Sequence, residues 1–92
     1  MELRYTVVMA TQADRRAATR TAILKAARKL FGGDGFQATT MDDIAASARV
    51  AKGAVYHHFP TKEAVFEAVF EEVSADLVVE IAHDLKKGVS DE

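Results

Sequence analysis

Ninety-two residues, 49% of them hydrophobic, 28% charged and none cysteine, leave room for one hydrophobic core at about 100–200 residues per domain. The lack of cysteine excludes a disulfide scaffold, a thiolate metal site and a cysteine nucleophile. No run approaches the roughly 18 consecutive apolar residues of a membrane span, and the N-terminal run Leu3–Ala10, broken by Arg4 and Thr6, makes no signal peptide; a cytoplasmic protein is expected.

Seventeen of the hydrophobic residues are alanine, the residue of highest helix propensity, which lets backbones approach closely. Short, tightly packed helices are therefore expected. The formal net charge of −2 conceals a split: residues 1–62 hold ten Lys or Arg against five acids, residues 63–92 two against nine. Such asymmetry describes either an anion-facing head joined to a segment that faces away or two solvated surfaces of opposite sign.

Residues 1–13 show weak alternation followed by polar residues and are expected to form a mobile arm; Met9 is a plausible alternative start to Met1. The spacing predicts a first helix over 14–33, with Ile23, Ala27, Leu30 and Phe31 as its buried stripe and Gly32, Gly33 and Gly35 ending it. A second helix starts at Thr40, a capping residue followed by Asp42 and Asp43 in the first turn, where the helix dipole favours acids. Its inner face is Met41, Ile44, Ala45 and Ala48. A break at 49–52 leads into a third short helix through His58, stopped by Pro60. Thr61 caps a fourth helix from Lys62 to about Lys87, whose expected apolar stripe is Phe66, Phe70, Val73, Leu77, Ile81 and Leu85. At 1.5 Å per residue this helix spans roughly 39 Å, too long for the other helices to cover.

Two short helices across a tight turn, braced on both sides, outline a helix-turn-helix. Its second helix must protrude, holding on by few apolar residues while presenting small, polar or aromatic ones. Residues 52–58 fit: Val55 and Phe59 anchor inward with Val50, leaving Lys52, Gly53, Ala54, Tyr56, His57 and His58 outward. Small Gly53 and Ala54 allow close approach to DNA, and Ala54 suits a thymine methyl. Tyr56 and the histidines suit phosphate oxygens, which position a protein without reading sequence.

The run Thr19–Ala27, then Leu30-Phe31, Gly35-Phe36, Thr39-Thr40, Asp43-Ile44-Ala45, Ala48, Val50, Lys52-Gly53, Val55-Tyr56, His58-Phe59 and Lys62-Glu63, resembles the DNA-binding head of TetR-type transcriptional repressors over about residues 19–73, without gaps. The resemblance implies an all-α fold: a homeodomain-like three-helix head with 52–58 as recognition helix, and a long fourth helix. It also implies that Thr39, Thr40 and Met41 lie at the DNA-proximal start of the second helix, that Lys52, Gly53 and Ala54 face base edges, and that Tyr56, His57, His58 and Lys62 hold the backbone. Two positions depart from the family pattern. Arg49 stands where glycine is usual, so an arginine is expected at positive φ, with a phosphate contact in exchange. Ala51 stands where a capping serine is common, a loss of about 1 kcal/mol. Proteins of this type continue into a helical ligand-binding and dimerising domain, expected to be absent from this chain, and no small-molecule effector pocket is expected. Two-fold operators require paired heads about 34–36 Å apart, so Leu77, Ile81 and Leu85, with Val78 beside them, are expected either to pair with a second copy or to remain exposed.

Other patterns have plainer readings. Adjacent His57 and His58 point about 100° apart on a helix and cannot share a metal; with no cysteine and His83 distant, neither metal nor cofactor is expected. Gly32-Gly33-Asp34-Gly35 lacks the preceding strand and following Gly-Lys of a phosphate loop and reads as a helix terminator. The acidic rows from Glu63 to Asp84 repel phosphate, or are simply a solvated face. No nucleophile–base spacing supports an enzyme.

The chain accordingly divides into an arm (1–13), a helix-turn-helix DNA-binding domain (14–61), a linking or dimerisation helix (62–88) and a tail (89–92). The expected function is sequence-specific binding of double-stranded DNA in the major groove by a transcriptional repressor. The alternative is a truncated protein-interaction module that pairs with a full-length relative through the fourth helix.

Overall fold

A computed structural model describes the backbone of residues 11–90 and the side chains of residues 11–87. It contains four helices, α1 (Gln12–Asp34), α2 (Met41–Ala48), α3 (Lys52–His58) and α4 (Lys62–Ser90), and no strand among the described residues. None of these helices is long and apolar enough to cross a membrane. Residues 1–10 of the expected arm lie outside the described residues.

Capping chemistry sets most of the boundaries. α1 begins two residues earlier than its apolar periodicity suggests, because Thr11 and Asp14 form a reciprocal capping box: the Asp14 N–H donates to Thr11 Oγ1 at 3.1 Å, and the Thr11 N–H to Asp14 Oδ2 at 3.2 Å. Such a box satisfies two of the four orphan donors at a helix start. α1 also runs through Gly32 and Gly33 to Asp34. Gly35 alone takes the positive φ, 90°, and its N–H closes on the Phe31 carbonyl at 3.0 Å. α2 opens on the same box, Thr40 with Asp43, at 3.0 Å in each direction. At α4 the Ala64 N–H donates to Thr61 Oγ1 at 3.1 Å.

The core lies where α1, α2 and α3 meet the first turns of α4. Ile23, Leu24, Ala27, Met41, Ile44, Ala45, Val55, Phe59, Val65 and Val69 form one cluster, with Leu30, Phe31, Ala48 and Val50 packed against it. At about 25 cal/mol per Å2 of apolar surface removed from water, burial of this cluster is the main favourable term holding the head together.

The first turns of α4 correct the sequence expectation, while the exposure of Leu77, Ile81 and Leu85 is one of the two outcomes expected for them. The face it buries is Val65 (fully buried) and Val69 (5% exposed), backed by half-buried Ala64 and Ala68, while the expected stripe Phe66, Phe70, Val73, Leu77, Ile81 and Leu85 is exposed along its length. Two apolar rows run side by side on this helix, and α1 takes the one with small side chains, which lets the backbones approach. Phe66 packs at the margin, its ring 5.6 Å from Phe31 and 5.4 Å from Phe36 in edge-on contacts. Further along α4, Arg28 of α1 pairs with Asp76 at 3.1 Å, exposed on both sides, where an ion pair adds at most about 1 kcal/mol.

Candidate nucleic-acid interface

α3 is seven residues long and has one fully buried side chain, Val55. Phe59, just past its C-terminus, is the second anchor, and Val50 in the preceding turn is half-buried. Everything else on the helix stands off. Lys52, Gly53, Tyr56 and His57 are exposed, Tyr56 at 44%, while Ala54 and His58 are half-buried. A two-point attachment makes α3 protrude: a helix with more inward apolar residues would sink into the core and lose its outer face.

The turn before α3 carries both departures from the usual pattern. Arg49 adopts φ 62°, ψ 43°, the left-handed region, and closes α2 by donating its N–H to the Ala45 and Ala46 carbonyls. It is the only non-glycine residue with positive φ among the described residues. A left-handed residue with a Cβ costs roughly 1–2 kcal/mol, and its guanidinium projects from an exposed turn. Ala51 occupies the N-cap of α3 and provides no side-chain cap.

Gly53 has no conformational reason to be glycine. Its φ is not positive, and a Cβ built there meets nothing within 4 Å. The protein leaves open space over this point of α3, beside Lys52.

Charge collects around the helix from two directions. Lys52 Nζ lies 3.0 Å from Asp42 Oδ1 in the first turn of α2, with both side chains largely exposed. The hydrogen bond to Asp42, and then its charge, hold the Lys52 ammonium above the usual lysine range. From the other side, α1 brings Arg16 and Arg20 toward the end of α3: the Arg20 guanidinium sits 5.2 Å over the Phe59 ring. His58 feels both arginines and has its pKa lowered, first by partial burial, then by Arg16, His57 and Arg20. The His57 and His58 rings meet edge-on at 5.8 Å. Arg16 and Arg20 are additions to the site. Their i, i+4 spacing shows that they share a face, but only the packing of α1 across α3 shows which face.

Three expected site residues are placed differently. Thr39 is 1% exposed and its Oγ1 donates to the Gly35 carbonyl at 2.8 Å; Met41 is 8% exposed and belongs to the core. Neither side chain is presented outward, because the loop into α2 needs one satisfied hydroxyl and one apolar plug beneath it. Lys62 is drawn to Phe36, donating to its carbonyl at 2.8 Å and lying 4.1 Å over its ring. Its ammonium therefore ties the loop after α1 to the start of α4. Thr40 remains exposed at the rim, with its hydroxyl already accepting from the Asp43 N–H.

The outer surface of α3 thus combines a slim backbone, one lysine, one tyrosine and a flanking patch of arginine and histidine. Phosphate oxygens take contacts from such cationic and hydroxyl groups, and base edges admit small residues and lysine. Comparison with known proteins points the same way. Residues 23–69 match the pattern described as "Bacterial regulatory proteins, tetR family". The chain is similar to the HTH-type transcriptional regulator UidR of Escherichia coli K12, with 45% identity over 51 residues, 55% of this chain and 26% of that protein. It is similar to the HTH-type transcriptional repressor NicS of Pseudomonas putida, with 40% identity over 75 residues, 82% of this chain and 34% of that protein. Identity to the HTH-type transcriptional repressor KstR2 of Mycolicibacterium smegmatis is 41% over 56 residues, 61% of this chain and 27% of that protein. The chain therefore spans roughly a quarter to a third of the length of these relatives, which are named as regulators of transcription and not as enzymes.

Proposed function

The chain belongs to the tetR family of bacterial regulatory proteins, and we propose that it binds double-stranded DNA by laying α3 in the major groove, repressing transcription by occluding its site. Lys52, Gly53 and Ala54 face base edges. Tyr56, His57 and His58 hold phosphates, joined by Arg49 from the turn, by Thr40 at the rim and by Arg16 and Arg20 from α1. Lys62 serves the interface indirectly, by fixing the loop that carries Thr39 and leads into α2 at Met41.

The observation that carries this reading is Gly53. The fold makes no demand for glycine there, whereas a helix that must approach base edges closely does. Gly53→Gln is therefore expected to fold with an unchanged or higher melting temperature, since glycine is the weaker helix former by about 0.5–1 kcal/mol, and to lose most of its binding to a duplex enriched from a random pool by the wild-type chain. Wild-type binding should fall steeply with salt as counterions released from the phosphates are restored. A Gly53→Gln chain that binds as well as wild type overturns the reading. So does a wild-type chain that binds no duplex at low salt, which instead favours the interaction module.

Recognition of a two-fold operator requires two heads. The surface for a second copy is the face of Leu77, Ile81 and Leu85, which are 53, 48 and 67% exposed; sedimentation at micromolar concentration tests it, and a strict monomer excludes it.

A further inference from the structure

Resting on the reading of α3 as the DNA-facing helix, we infer that Asp42 is a positioning residue for sequence recognition: it pins the Lys52 ammonium over the outer face of α3 and so directs it to base edges and away from the nearest phosphate.

Asp42 shares the first turn of α2 with Asp43, where either acid favours the helix dipole, but it takes no part in capping that helix. The N-terminus of α2 is already closed by Asp43, whose carboxylate accepts the Thr40 N–H and whose N–H donates to Thr40 Oγ1. The Asp42 side chain is 68% exposed, and the contact it makes is with Lys52 Nζ at 3.0 Å. A carboxylate on this surface repels phosphate, so it weakens binding to every duplex regardless of sequence. Lysine, in turn, carries a compact charge on a flexible four-carbon stem. Left alone at the rim of a groove, it turns to the strongest negative field, the phosphate backbone, and adds affinity without discrimination. Paired with Asp42, it keeps two of its three N–H donors and is held at the start of α3, one residue before Gly53 in the chain. From there the free donors fit the O6 and N7 acceptors of guanine. The pair as a whole is neutral and releases few counterions, so non-specific binding stays weak. Asp42 lowers affinity for all DNA and lowers it least where Lys52 finds a base edge.

The test uses the 92-residue chain, its Asp42→Asn and Lys52→Met variants and the double variant, with two probes: a random-sequence duplex pool and the duplex that the wild-type chain enriches from it. Binding is followed over a salt series, and the melting temperature checks the fold. Asp42→Asn should bind the random pool about tenfold more tightly at low salt, with a salt slope steeper by about one. It should gain less on the enriched duplex, so that discrimination falls several-fold. In the Lys52→Met background Asp42→Asn should leave the slope unchanged. The inference is overturned if Asp42→Asn shifts both probes by the same factor at constant slope, if the steeper slope survives without Lys52, or if the wild-type chain binds duplexes without enriching any sequence. A wild-type chain that binds no duplex at all overturns the DNA reading itself, and is told apart because every failure of the positioning role leaves wild-type duplex binding intact.

Discussion

α3 and the distal half of α4 both leave most of their surface uncovered, and they differ in what they uncover. α3 shows Lys52, Gly53, Tyr56 and His57, flanked by Arg16 and Arg20 from α1. Distal α4 shows Leu77, Val78, Val79, Ile81 and Leu85, 48–69% exposed, between Asp76, Glu80 and Asp84. Exposure alone is common on folded proteins; chemistry decides what each surface suits. On the proposed reading a polyanion is drawn to the first and repelled by the second, whereas a run of uncovered aliphatic side chains gains from any apolar face that removes it from water. The two ends of this small protein are thus fitted to different kinds of contact, one electrostatic and shape-limited, the other hydrophobic.

The comparison breaks most visibly under truncation of equivalent side chains. Ile44→Ala, in the fully buried centre beneath α3, should cost about 2–5 kcal/mol in urea unfolding. Ile81→Ala should cost within about 0.5 kcal/mol if distal α4 faces water; a larger, concentration-dependent cost would mean that a second copy covers it. The turn before α3 should respond at an intermediate level. Arg49→Gly relieves the left-handed conformation and should raise stability by about 1 kcal/mol, while weakening DNA binding. Raised stability with untouched affinity would remove Arg49 from the interface. Ala51→Ser restores a cap worth about 1 kcal/mol to the start of α3.

The smallest effect is pH-dependent. His58 has a lowered pKa in the fold, so near its ordinary value, about pH 6.5, the unfolded chain binds more protons than the native one. Stability is then full above that pH, declines as pH falls toward the lower folded value, and declines no further from this group below it. His58→Gln should flatten this part of a melting-temperature profile. On DNA the sign for affinity is opposite to that for stability, since a phosphate beside His58 favours the protonated ring and binding should strengthen as pH falls.

Helix boundaries were largely legible because they depend on neighbours in the chain. Thr40 with Asp43, Thr61, Pro60 and the 52–58 segment announce starts and stops within a few residues. The start of α1 lies ahead of its apolar stripe because Thr11 and Asp14 cap it there, and Gly32 and Gly33 do not terminate α1, which tolerates both in its exposed last turn. The face that α4 buries departs from the periodic signal for a different reason: Phe66, Phe70 and Val73 make the stronger apolar stripe, yet Val65 and Val69 enter the core.

From its amino acids alone this protein determines four helices, their order and the protruding short helix, since caps, proline and i, i+4 spacing act over a few residues; the left-handed Arg49 is what the resemblance to a family with glycine in that turn implies. Only the packing of those helices decides that Thr39 and Met41 turn inward, that Lys62 is spent on Phe36, that Asp42 grips Lys52 and that Arg16 and Arg20 join the end of α3. Those outcomes depend on the angles at which helices cross, and a crossing angle is set by side-chain fit between segments distant in sequence, which no local pattern carries.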